Sequence, residues 1–281
     1  MKIRMMTPAD VQFAFASTVA EGWSGETREV FETFLANDPR GCFVAEYEST
    51  PAGICVATRY RTSGFIGELV VAQAMRGRGI GRTLFRTAIE YLKATGIHDI
   101  YLDGDLDAVP FYERTGFRRV CRSLRFVGSA KGPLCPGVRS FLPADAPSVC
   151  EIDRELFGDD RSDFLERRLA LFPGLCFVFE SDGRITGYAM GRPGVGVVSV
   201  GPWASRGSDA DALSLLGAVA LRAGPERLRL GVLEANPRAV RVVRSCADME
   251  EQTPCWRMVL GSHDRLGIHA DLIAMGSAAK G

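Results

Sequence analysis

The stretch Arg76-Gly77-Arg78-Gly79-Ile80-Gly81 decides the fold, because it opens an amphipathic helix without supplying a side chain that could cap it. Downstream, Leu84, Phe85, Ala88, Ile89 and Leu92 fall at helical spacing, with Arg82, Arg86, Glu90 and Lys93 on the other face. The first turn of such a helix leaves backbone N–H groups without intrahelical partners. Glycines at 77, 79 and 81 let a ligand's phosphates approach that partially positive end. The preceding run at 64–71, Gly-Phe-Ile-Gly-Glu-Leu-Val-Val, reads as a strand, so the unit is strand, glycine-rich turn, helix, with Arg76, Arg78 and Arg82 around the turn. That combination is a diphosphate cradle. It lacks the acidic residue about 20 positions later that a dinucleotide-binding turn requires, and the Gly-Lys-Ser/Thr of a P-loop.

In this setting Arg76-x-x-Gly79-x-Gly81 resembles the pyrophosphate-binding signature of the GNAT superfamily of acyl-CoA-dependent N-acyltransferases. A companion segment, Ala108-Val-Pro-Phe-Tyr112-Glu-Arg-Thr-Gly116-Phe117, resembles that superfamily's later helix and turn ending in Tyr-Glu-x-x-Gly-Phe. The resemblance covers residues 1–126. Within it, Glu21-Gly22-Trp23, Leu102-Asp103-Gly104 and Arg122-Ser-Leu-Arg125-Phe126 are similar to a bacterial two-domain subgroup, whose degenerate second domain is resembled through Asp153-x-x-x-Phe157-Gly-x-Asp160-Arg161. The implied fold is α/β (α+β): tandem domains, each a mixed, mostly antiparallel central sheet flanked by helices. The implied cofactor is acetyl-CoA or a short acyl-CoA, and the implied partner is a small-molecule or peptide amine.

The chain also repeats itself. Ile3-Arg4 followed by Pro8-Ala9-Asp10 recurs as Val138-Arg139 followed by Pro143-Ala144-Asp145, and Cys42-Phe-Val-Ala-Glu46 recurs as Cys176-Phe-Val-Phe-Glu180. Between the copies, residues 128–137 have linker composition and no periodicity. We therefore expect a catalytic domain at 1–127, a linker at 128–137 and a degenerate domain with a C-terminal tail at 138–281. In the first copy strands are expected near 2–6, 41–47, 53–61, 64–71, 98–102 and 117–126, and helices near 8–20, 27–36, 80–95 and 108–115. The second copy replaces the glycine turn with Ser208-Asp209-Ala-Asp211, a capping-box-like pair that satisfies its own helix end and leaves no vacancy for phosphate. In place of Tyr112-Glu-x-x-Gly116-Phe117 it has Val243-Arg-x-x-Ala247-Asp248, with no phenol to donate a proton. One catalytic domain is expected, not two.

Composition narrows the classes further. At 281 residues, with 46% hydrophobic and 24% charged residues, the chain has ordinary globular make-up. Its 34 basic and 34 acidic residues cancel, so no overall field favours nucleic acid or an anionic membrane. No apolar run approaches the roughly 18 residues of a membrane span, and no signal-peptide core follows Met1, so the cytoplasm is the expected location. Eight cysteines without C-x-x-C spacing read as small buried hydrophobes, and three histidines make neither a zinc site nor a histidine-based triad. Asp103-Gly-Asp105-Leu-Asp107 imitates the start of a calcium loop, but Ala108 and Arg114 stand where that loop needs Gly and Glu, so a solvated loop is expected there and no metal.

Acyl transfer to an amine needs a neutral amine, a polarised thioester carbonyl and a proton for the leaving thiolate. Backbone N–H groups of Leu69, Val70 and Val71 suit the thioester and pantetheine, with Val70 the expected oxyanion donor. Tyr112 is the candidate general acid, since a phenol with pKa near ~10 is protonated at neutral pH; the resemblance assigns it the same role. Glu68 is the candidate base, expected on the face of Ile66 and Val70, where apolar surroundings would raise its pKa. The cofactor turn itself is expected to engage Arg76, Gly77, Arg78, Gly79, Ile80, Gly81 and Arg82. Glu21 and Trp23 match a region that lines the acceptor pocket in the superfamily. Two other functions fit the same sequence: an acyl-CoA-binding regulator without turnover, and an interaction protein docking through its degenerate domain. A homodimer also stays open.

Overall fold

The computed structural model describes residues 1–132, 135–279 and 281, so two of the ten linker residues, 133 and 134, lie outside the described residues. The first copy runs β1 (Lys2–Met5), α1 (Val11–Ala20), α2 (Arg28–Asn37), β2 (Cys42–Tyr47), β3 (Thr50–Arg59), β4 (Ser63–Val71), α3 (Ile80–Ala94), β5 (Asp99–Asp105), α4 (Val109–Glu113) and β6 (Arg118–Gly128). The second repeats the order: β7 (Val138–Ser140), α5 (Ala146–Phe157), α6 (Ser162–Leu171), β8 (Cys176–Ser181), β9 (Arg184–Pro193), β10 (Val197–Ser205), α7 (Asp209–Ala223), β11 (Arg227–Leu233), α8 (Pro237–Arg244) and β12 (Met249–Leu260). A short β13 (Leu272–Ala274) follows.

The repeated sequence marks a repeated ion-pair corner. Arg4 grips Asp10 at 2.7 and 2.8 Å and Glu46 at 2.6 Å. Arg139 does the same with Asp145 at 2.7 and 2.9 Å and Glu180 at 2.8 Å. Each arginine fork ties the first strand to the following turn and to the next strand over.

All the described strands form one sheet in the order β1-β2-β3-β4-β5-β12-β6-β11-β10-β9-β8-β7, with β13 paired to β10. Only β4 with β5 and β10 with β11 are parallel. The two copies have exchanged their last strands: β12 lies between β5 and β6, and β6 lies between β12 and β11. A chain boundary near residue 130 therefore does not divide the sheet, because each copy's seam is completed by a strand of the other. Helices cover both faces. In the first copy α3 and α4 pack on one face with Ile66, Leu84, Phe85 and Leu102, while α1 and α2 pack on the other with Val44, Ile54, Val56 and Val70. Phe65 and Tyr101 of the first copy share a buried cluster with Phe157, Tyr188 and Val259 of the second.

Candidate active site

Strands β4 and β5 pair only through Ser63 with Asp99, Gly64 with Ile100 and Phe65 with Tyr101, then diverge. Beyond that point β4 has no strand on one side, and the gap opens into a cleft of about 770 Å³. The second copy diverges at the same place, after Ser199 pairs with Arg229. There, however, the gap is filled by the chain itself: β13 pairs Ala274 with Trp203 and Leu272 with Ala204, and Met275 N–H donates to Gly231 C=O at 3.0 Å. The filled gap holds an extended segment paired through backbone amides, and the open gap offers the same strand edge unpaired.

At one end of the open cleft lies the start of α3. Its first-turn boundary residue is Gly79 at φ 78°, with no side-chain cap, and Gly77 has the same φ. A Cβ at either position would meet nothing within 4 Å, so glycine is needed for the left-handed backbone and not for space. The equivalent helix α7 is closed by Ser208, which accepts from Asp211 N–H at 3.2 Å while Asp211 accepts from Ser208 N–H at 2.8 Å. Ile80, Gly81 and Arg82 line the cleft. Arg76 lines it too, but its Nε donates to Val71 C=O at 3.0 Å and its guanidinium pairs with Glu21. Arg78 departs from expectation: it lies over the Tyr47 ring at 5.1 Å, and it is not among the cleft-lining residues. The arginine side chains therefore do not all converge on the turn.

In the middle of the cleft β4 carries a bulge. Its register to β3 passes from Val70–Ile54 to Gly67–Val56, so Glu68 and Leu69 together face Cys55, and Glu68 takes φ 51°. A non-glycine residue held there costs about 1–3 kcal/mol, a strain that clusters at functional sites. The bulge also breaks strand alternation. Ile66 packs toward α3 and Val70 toward α1 and α2, so the two lie on opposite faces and not on one. Ala72 N–H donates to Ala52 C=O at 2.9 Å, and antiparallel pairs alternate, so the Val70 amide turns toward β3 in the same phase. Leu69 and Val71 present their amides to the open side, which moves the expected oxyanion donor off Val70. Glu68 is buried and lines the cleft.

Tyr112 enters from α4, with its ring against Phe85 and Phe111 at 5.2 Å. Gly104 makes room for it, since a Cβ there would lie 2.7 Å from the ring. Its hydroxyl has no hydrogen-bond partner among the described residues, and burial pushes the phenol pKa above its ordinary value. A group so placed stays protonated and has a proton to give.

The far wall was not legible in advance. Glu26, Asp103, Arg125, Arg229, Ala278 and Ala279 line the cleft together with the expected Glu21 and Trp23. Asp103 stands in strand β5 and not in a solvated loop: its carboxylate and the Arg257 guanidinium are each 1% exposed and 2.5 Å apart. Ser123 adds a hydrogen bond to Asp103 at 2.9 Å. The loop carrying Glu21 and Trp23 is anchored by the second copy, through Arg192 to Gly25 C=O and Glu26, and through Val195 N–H to Ser24 C=O at 2.7 Å. The quoted motif at 153–161 has a related job. Arg161 bridges Asp153 at 2.8 Å and the Gly281 oxygen at 2.7 Å, fixing the segment that places Ala278 and Ala279 beside β4. A Cβ on Gly67 would lie 2.2 Å from that of Ala279.

Two family patterns match this chain: the Acetyltransferase (GNAT) family over residues 9–117 and the Acetyltransferase (GNAT) domain over residues 149–273. The chain belongs to the GNAT superfamily. A solved Pyrococcus horikoshii structure, whose acetyltransferase assignment is itself provisional, superposes this GNAT chain with a TM-score of 0.84 at 25% identity, over 100% of this chain and 95% of that one. A glucosamine 6-phosphate N-acetyltransferase of Trypanosoma brucei brucei is 35% identical over 65 residues, 23% of this chain and 44% of that protein. The N-alpha-acetyltransferase 30 of Schizosaccharomyces pombe is 31% identical over 108 residues, 36% of this chain and 72% of that protein. The chain thus spans less than half the length of the first of these relatives. No helix among the described residues is long and apolar enough to cross a membrane.

Proposed function

We propose that this GNAT protein transfers the acetyl group of acetyl-CoA to the amine of a small acceptor. The observation that carries the reading is the pair of equivalent gaps: the second is filled by β13 and its helix capped, while the first is open, its helix uncapped, and lined by Glu68 and Tyr112. Bound acetyl-CoA would supply the thioester. The first-turn N–H groups of α3 suit its diphosphate, and the Leu69 and Val71 amides suit its pantetheine and thioester carbonyl. Glu68 would take the proton that the amine loses on forming the new C–N bond, and Tyr112 would give one to the sulfur as the C–S bond breaks. The wall of Trp23, Ala278 and Ala279 favours a small amine over a folded protein as acceptor.

Eight cysteines free of disulfides among the described residues support a reducing compartment, the cytoplasm. The test is a screen of the full-length chain with acetyl-CoA against amino acids, amino sugars, polyamines and short peptides, reading free thiol release. Acetylation of at least one amine above the hydrolysis background is expected. No transfer to any of them, with acetyl-CoA bound, would favour an acyl-CoA sensor instead.

A further inference from the structure

The deep end of the cleft, away from α3, is made by the exchanged seam. Arg229 on β11 reaches it from the second copy and has no hydrogen-bond or ion-pair partner among the described residues. Five N–H donors in a recessed place are costly to leave unmatched. Its position is built: a Cβ on Gly25 would lie 2.1 Å from the Arg229 Nη1 and 3.5 Å from the Ser199 Oγ. Gly25 is thus the gap into which the guanidinium fits. A small cavity of about 70 Å³ continues from this point and shares Glu26, Asp103, Arg125, Arg229 and Ala278 with the cleft. Two hydroxyls on its wall, those of Ser199 and Ser277, are buried and have no partner among the described residues. Other arginines of the seam are already engaged: Arg125 with Asp105 at 3.1 Å, Arg192 with Glu26 at 3.1 Å, and Arg257 with Asp103.

We propose that Arg229, with the hydroxyls of Ser199 and Ser277, seats a carboxylate of the acceptor, so that the amine acetylated belongs to a small amino acid-like zwitterion. The inference rests on the transferase reading above and adds the class of acceptor. A planar, singly charged carboxylate matches the guanidinium fork. A phosphate, with nearly two charges, would meet the repulsion of Glu26, Asp103 and Glu68 around the same pocket. Those carboxylates, in turn, favour the cationic amine end and orient the molecule with its nitrogen toward Glu68. The ammonium proton passes to solvent before attack, and Glu68 takes the proton released as the C–N bond forms.

The test compares matched primary amines on the full-length protein: amino acids, their amides, their decarboxylated counterparts and an amino sugar phosphate. The acids are expected to show the higher kcat/KM by on the order of ten- to a hundredfold, the range of a charge-assisted hydrogen bond. Arg229→Gln should raise KM for the acids by a similar factor, erase their advantage over the amides and leave CoA affinity by calorimetry unchanged. Gly25→Ala, which pushes the guanidinium aside without removing it, should weaken the same preference and serves if Arg229→Gln does not fold. Equal use of amides or decarboxylated amines, a preference for the phosphate, or an intact preference in Arg229→Gln would each overturn the proposal while leaving the transferase reading in place. Should no amine be acetylated, thermal shift decides: the acids must still protect the wild type and not Arg229→Gln, or the subsite is wrong as well.

Discussion

Replacing Tyr112 by phenylalanine removes one hydroxyl whose only apparent use is chemical. The hydroxyl has no partner among the described residues, so the substitution breaks no hydrogen bond, and the ring keeps its contacts with Phe85 and Phe111. Stability should therefore change by less than about 0.5 kcal/mol, a shift of roughly two degrees or less in Tm for a chain of this size. Turnover should fall by about 10²–10⁴, the usual loss with a general acid, equivalent to about 3–5 kcal/mol of barrier. KM for acetyl-CoA should hardly move, because the interaction is made only as the thiolate leaves. The pH profile adds a second check. Burial raises the Tyr112 pKa, so the wild type should show no loss of rate from phenol ionisation up to about pH 10, the ordinary phenol value. The same shift makes the folded state hold its proton where the unfolded chain releases it, so the Tyr112 contribution to stability is constant below about pH 10 and declines above it. Steady-state kinetics with the best acceptor, calorimetric CoA binding and a melting curve test all three. A kcat within twofold of wild type would refute the acid role, and a large drop in Tm would refute the claim that the hydroxyl is structurally idle.

Two further outcomes follow from the contrast between the copies and from the cysteines. Calorimetric titration should find one CoA per full-length chain, and Gly79→Asp, which strains the left-handed residue and places a carboxylate at the open helix start, should weaken it on the order of ten- to a hundredfold; two CoA per chain would restore the second copy as a binding domain. Six of the eight cysteines are buried, and burial pushes the Cys42 and Cys176 thiols up to about 12. At pH 8 an aromatic disulfide reagent should modify no more than Cys135 and Cys246 quickly in the native protein, and all eight thiols in denaturant; fast reaction of a third would mean that the packing is looser than described.

The glycine turn and open helix start, where we place the cofactor, are written locally and so were legible as structure. A glycine turn, an uncapped amphipathic helix and a strand lie within 20 residues of one another, and each advertises itself by periodicity or by the lack of a cap. The capping pair Ser208 and Asp211 was legible for the same reason. Parity along β4 was not. A one-residue bulge leaves no compositional trace, so period-two counting put Ile66 and Val70 on one face. The far wall of the cleft was hidden by distance in sequence. Glu26, Asp103, Arg229 and Ala278 come from four elements spread over most of the chain, and only the strand exchange brings them to one wall. Some of their neighbours were visible as motifs without a role: Leu102-Asp103-Gly104 holds Asp103 for Arg257 and gives Tyr112 its space, and 153–161 anchors the C-terminal segment.

The exchanged strands give the second copy, whose own gap is filled by β13, a structural part in the first copy's cleft. Between β5 and β11 the sheet runs through β12 and then β6, so deleting the second copy would strip β12 from β5 and take the Arg257 partner from Asp103. Removal of Arg257 alone, with the strands in place, would leave an uncompensated buried carboxylate at a cost of about 3–5 kcal/mol, a large part of the stability of a domain. Deletion of the second copy would also release the loop of Glu21 and Trp23 from Arg192 and Val195, and remove Arg229 and the segment of Ala278 and Ala279 from the far wall. Duplication followed by exchange thus divides the labour within one continuous sheet. The first copy keeps the open gap and the uncapped helix; the second spends its own gap on β13 and, through the chain that follows it, closes the far side of its neighbour's cleft.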